Sequence, residues 1–122
     1  MALVSLAPLY VGLGGAVGAT GRYLVGERVE RTRLDTLVVN VVGSFLLGFV
    51  LAAPFDGSIV TLLGTGFCGA FTTFSSFAFE TVRLAEDGFG RAAAANAVGT
   101  FALAVVGVVA GGWAGSAVVQ LL

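Results

Sequence analysis

The chain has 122 residues, 57% hydrophobic and 11% charged, with six basic and seven acidic residues and no histidine. Soluble domains carry about 25% charged residues, so this composition excludes a water-soluble globular fold and marks an integral membrane protein. The single cysteine, Cys68, excludes an internal disulfide, and with no histidine beside it the composition argues against a His/Cys metal centre.

At about 20 residues per crossing there is room for four spans and almost nothing else. The first apolar segment covers about 3–25. It has no basic n-region and is far longer than a signal-peptide core, so it reads as a span. Gly14 and Gly18 form a GxxxG pair on it, the spacing that lets helix backbones approach closely in lipid. A polar stretch at 27–35 separates it from the second segment, about 36–53. That segment carries Asn40 and Ser44 and closes at Pro54, in a turn of the kind that joins antiparallel helices.

The third segment, about 59–84, contains Gly-Phe-Cys-Gly-Ala-Phe-Thr-Thr-Phe-Ser-Ser-Phe at 66–77. Glycines and hydroxyls clustered at membrane depth loosen the backbone. Loosened backbone is tolerated there only where it is buried in protein or lines a polar path. Phe74 and Phe77 are three residues apart and share a helix face beside Thr73 and Ser76. Such an aromatic pair is ordinarily core packing, but a phenyl ring has a positive edge that can face an anion. The polar run 85–91 leads to a fourth segment, about 92–120, with Asn96 and Thr100 on one face and GxxxG pairs at Gly107, Gly111 and Gly115.

No Asp, Glu, Lys or His sits centrally in any span, as a proton-coupled transporter usually needs. Glu80 and Arg22 lie near segment ends, where long side chains reach the interface. The interior instead offers neutral groups, mostly donors: Asn40, Ser44, Thr72, Thr73, Ser75, Ser76, Asn96 and Thr100. Amide and hydroxyl donors replace the hydration of a small anion without holding it by full charge, which suits anion passage. Taken singly, Asn40, Asn96 and Thr100 also fit interhelical hydrogen bonds.

Three blocks together resemble the Fluc fluoride channels, also called the CrcB family. They are Gly-Gly-Ala-Val-Gly-Ala-Thr-Gly-Arg-Tyr at 14–23, Asn-Val-Val-Gly-Ser-Phe-Leu-Leu-Gly at 40–48, and the run at 66–77. The resemblance covers essentially the whole chain. It implies an all-α membrane protein of four transmembrane helices, the third broken mid-membrane, assembled as an antiparallel dimer with two fluoride pores in the cell membrane. Asn40 would match the pore asparagine, Phe74 and Phe77 the phenylalanines facing fluoride, Ser75, Ser76 and Thr36 polar lining positions, and Arg22 the vestibule arginine. Backbone carbonyls of Gly69 and Thr72 would hold a structural sodium ion that is not transported. Asn96 and Thr100 fall where the family usually shows tyrosine and serine; Thr100 is kept among the pore residues.

A small multidrug-type transporter is disfavoured, because its mechanism needs a carboxylate in the first span and the first acidic residue here is Glu27. A purely structural subunit would explain the glycines but not the run at 66–77. No nucleophile–base pair is visible, so no enzymatic activity is expected. Fluoride, lipid and a second subunit are the expected partners, and no nucleic acid. Arg22, Arg28, Arg31 and Arg33 cluster around the first connection, and Arg83 and Arg91 flank the third. With four spans these connections share a side, which the positive-inside rule makes cytoplasmic. A chain fixed that way calls for an oppositely oriented relative, hence a heterodimer; otherwise antiparallel pairing overrides the bias and gives a dual-topology homodimer.

Overall fold

The computed structural model describes residues 5–29 and 34–122, so the start of the first apolar segment, Arg31 and Arg33 lie outside it. Six α-helices and one π-helix make up the described chain: α1 (Ala7–Arg28), α2 (Leu34–Ala52), α3 (Gly57–Val60), π1 (Thr61–Cys68), α4 (Gly69–Phe71), α5 (Ser75–Glu86) and α6 (Gly90–Leu121). Among the described residues, three stretches are long and apolar enough to cross a membrane: Leu34–Ala52, Gly57–Glu86 and Gly90–Leu121. Helix α1 has the length, at 22 residues; six glycines and Arg22 dilute its hydropathy.

Local chemistry sets the ends. Pro8 sits in the first turn of α1, where its missing N–H costs nothing. Asp56 caps α3 by accepting the Ile59 N–H at 3.0 Å. Helix α5 stops at Gly88, whose φ of 87° only glycine adopts freely. There Phe89 N–H reaches the Leu84 carbonyl and Gly88 N–H the Ala85 carbonyl, a Schellman closure.

Glycine positions reveal the packing. A Cβ added to Gly14 would run into the Leu62 carbonyl, and one on Gly18 into that of Phe67. Contacts that rise together along both segments make α1 and π1 parallel neighbours. The same holds for α2 and α6: Gly107 faces the Val41 carbonyl, Gly111 that of Phe45, and Gly115 that of Phe49. Between α2 and α5 the order reverses, since Thr36 bonds Glu80 while Asn40 bonds Thr73. The chain therefore runs alternately up and down, and all three GxxxG pairs pack against other segments of the same chain. Segment π1 brings Gly66 against the backbone of Val11 and Gly14.

The third crossing is assembled from pieces. Helical geometry runs from Gly57 to Phe71, lapses over Thr72, Thr73 and Phe74, and resumes at Ser75. The lapse lies about halfway along the Gly57–Glu86 stretch of 30 residues. Beyond it, α5 has no buried residue. Polar ties hold it instead: Thr36 Oγ1 donates to Glu80 Oε1 at 2.8 Å, Asn96 Nδ2 donates to Thr81 Oγ1 at 2.8 Å, and Asn40 grips the adjoining Thr73. Asn96 is thus interhelical glue between α6 and α5.

Candidate functional site

The interruption is built by three side chains. Thr72 turns its backbone extended, with φ −84° and ψ 165°. Its N–H and its Oγ1 both donate to the Cys68 carbonyl, at 3.1 and 2.9 Å, so one acceptor closes the last helical turn twice. Thr73 Oγ1 then accepts the Ser76 N–H at 3.2 Å and starts α5, as a capping hydroxyl does. From α2, Asn40 pairs with both backbone groups of Thr73. Gly43, one turn further along α2, leaves room for the Thr72 methyl; a Cβ there would collide with it.

This architecture opens a groove of about 380 Å³ whose lining includes Asn40, Ser44, Thr72, Thr73, Phe74, Phe77 and Thr100, together with Gly69 and Cys68. No charged side chain lines it. The Phe74 and Phe77 ring centroids lie 6.0 Å apart with planes tilted by 52°, so their edges and faces are offset and not stacked. Phe74 is 78% exposed, a phenyl held at the groove rather than in a core. Thr100 is buried on α6 and lines the groove with Asn40 and Ser44 of α2.

A second, smaller pocket of about 60 Å³ gathers Arg22, Asp35, Thr36, Val39, Thr73 and Ser76. Thr73 belongs to both cavities and stands between them. Of the residues singled out in the sequence, Asn40, Phe74, Phe77, Thr100, Gly69 and Thr72 meet in the groove, and Arg22, Thr36 and Ser76 meet in the pocket. Ser75 joins neither; it is exposed, with Oγ 3.3 Å from Thr73 Oγ1.

Glu80 departs from the expectation for a residue near a segment end. It does not reach toward an interface: Oε1 accepts from Thr36, and Oε2 is buried without a hydrogen-bond partner among the described residues. Thr73, Ser44 and Glu80 are site or near-site residues to which the sequence alone assigns no specific role. The signal for Ser44 is its spacing, since it follows Asn40 by four and shares its face. The Thr36–Glu80 contact spans 44 residues and carries no local signal.

Comparison with known proteins agrees with the geometry. The family model described as CrcB-like protein, Camphor Resistance (CrcB), matches residues 9–112. A relative named fluoride-specific ion channel FluC 2, from Natronomonas pharaonis, is 58% identical over 106 residues, covering 87% of this chain and 91% of its own. Proteins of that name from Haloarcula marismortui and Moorella thermoacetica are 50% and 47% identical over 80% and 78% of this chain and 84% of theirs. The apolar helices and this match make the chain a multi-pass protein of the cell membrane, and it belongs to the CrcB-like family.

Proposed function

We propose that this chain forms a fluoride-selective channel that exports fluoride passively and so lowers its concentration in the cytoplasm. The observation that carries the reading is the groove at the helix lapse. An uncharged amide, several hydroxyls and two phenylalanine rings converge there with no fixed charge among them. Fluoride enters cells as neutral acid, ionises in a less acidic cytoplasm, and is then trapped by the lipid. A passive path with donors and ring edges is enough to release it. The names of the relatives support this anion as cargo.

The test is efflux from liposomes containing the purified protein. Fluoride is expected to leave quickly and chloride to remain; chloride leaving as fast would refute the selectivity. Asn40→Asp is expected to abolish fluoride efflux, because a carboxylate repels the anion and removes the Nδ2 donor.

The lapse in the third crossing belongs at mid-membrane on this reading, with the subunit paired antiparallel to a second. Free carbonyls at that depth need partners. The Thr73 N–H, which would close a helical turn on the Gly69 carbonyl, goes to Asn40 instead, leaving Gly69 without that donor. Gly69 and Thr72 both line the open groove, so their carbonyls fit a structural sodium ion shared across the dimer axis. When bound, that ion would neutralise the carbonyl dipoles there. Sodium-free and lithium-free buffer is expected to weaken dimerisation and efflux together; a fully active dimer in such buffer counts against the site.

The arginines extend the reading. Alternating crossings put the connections after α1 and after α5 on one side, and the six arginines lie in those connections or in the helix ends beside them. The positive-inside rule then fixes the chain with both of its ends outside. The heterodimer with a related, inverted chain follows, and the numbered names FluC 1 and FluC 2 among the relatives accord with it. Reporter fusions at the C-terminus are expected to read external only. Equal signals on both sides, with robust export by this chain alone, would establish the homodimer.

A further inference from the structure

Asn40 meets Thr73 twice. The Thr73 N–H donates to Oδ1 at 2.8 Å, and Nδ2 donates to the Thr73 carbonyl at 2.9 Å. One side chain on α2 therefore holds both polar backbone groups of one residue on the third crossing. The pairing fixes the amide orientation: turned over, it would set N–H against N–H and oxygen against oxygen.

In a continuous helix those two Thr73 groups would bond the Gly69 carbonyl and the Phe77 N–H, four residues away on either side. The amide of Asn40 occupies both places. It therefore competes directly with closure of the helix through the lapse. Helix α5, which follows, has no buried residue to fix its rotation. Of its three polar ties, the one from Asn40 acts on the residue adjoining Phe74.

We propose that Asn40 is a positioning residue, which keeps the third crossing open at Thr73 and thereby aims the Phe74 and Phe77 rings into the groove. One Nδ2 hydrogen is spent on this grip and one remains to face the groove. Removing the amide returns Thr73 to its helical partners and turns α5 with both rings. The proposal rests on the channel reading only for what the rings are aimed at; the grip stands apart from it.

The experiment uses the full chain in lipid nanodiscs with fluorophenylalanine at position 74, 77 or, as a control, 55, in the α2–α3 turn. In Asn40→Ala, the fluorine resonances at 74 and 77 are expected to shift while that at 55 stays. Amide exchange at Thr73 should change by about tenfold, the scale of one hydrogen bond. In Asn40→Asp one carboxylate oxygen still accepts the Thr73 N–H, but the other faces the Thr73 carbonyl. Thr73 exchange is then expected to stay near wild type while the ring resonances move, and this variant decides the matter if the alanine form does not assemble. Ring resonances unmoved in Asn40→Asp, with efflux lost, would overturn the positioning role and leave Asn40 as an anion donor alone. If wild-type protein fails to pass fluoride yet the rings shift, the channel reading fails and the positioning role stands.

Discussion

Phe77→Ile is expected to cut fluoride efflux by about five- to thirtyfold, and Phe74→Ile by a similar factor, with the assembled protein intact. Isoleucine keeps the residue apolar but removes the ring and its quadrupole. That quadrupole is worth about 1 to 2 kcal/mol to a desolvated ion, and each 1.4 kcal/mol is about tenfold in rate. Little packing is lost, because Phe74 is largely exposed and Phe77 only half-buried in the subunit. Efflux from liposomes supplies the rate, and size-exclusion chromatography supplies the assembly state. If rates stay within a factor of two while assembly is unchanged, the rings are packing and not part of the path.

Gly111→Val is expected to prevent the subunit from folding. The α2–α6 contact is built on backbone touching backbone, and the first carbon of any side chain at Gly111 would overlap the Phe45 carbonyl. Relief requires the two helices to separate, undoing Gly48 against Val108 and Gly115 against Phe49 as well. Overpacking alone costs about 1 to 3 kcal/mol, and losing the neighbouring contacts adds to it. In lipid, close packing is the main force between helices, so nothing offsets the separation. Gly112→Ala is the control, since a Cβ there meets nothing in the subunit. A folded, monodisperse Gly111→Val protein beside an aggregated Gly112→Ala one would reverse the assignment.

Polar residues stand out in an apolar chain, which is why Asn40, Thr100 and the run at 66–77 are conspicuous in the sequence. Hydropathy likewise marks the long helical stretches to within a few residues. Three things are hidden there for physical reasons. A GxxxG spacing states that a helix face is thin but not what lies against it, so packing within and between subunits looks alike. The π-segment Thr61–Cys68 arises where Gly66 presses on α1, a tertiary demand with no period of its own. Most of all, Asn40 offers two donors and one acceptor on paper, and only the fold shows that Thr73 takes a donor and the acceptor. In the sequence, the lining roles of Arg22 and Thr36 rest on resemblance alone, and Ser76 is one neutral donor among eight polar residues; in the fold, the small pocket gathers those three side chains.

Thr73 stands as a wall between two rooms of very different size, about 380 Å³ on one side and about 60 Å³ on the other. The larger has room for many waters and the smaller for only a few. If fluoride passes from one to the other, as the channel reading holds, it sheds water at Thr73, with Arg22 on the small side and Phe74 and Phe77 on the large side to stand in for the lost shell. On that reading, widening the small pocket at Val39, a buried side chain with no polar atom, is expected to let the ion keep more of its water and to lower the ratio of fluoride to chloride efflux from liposomes.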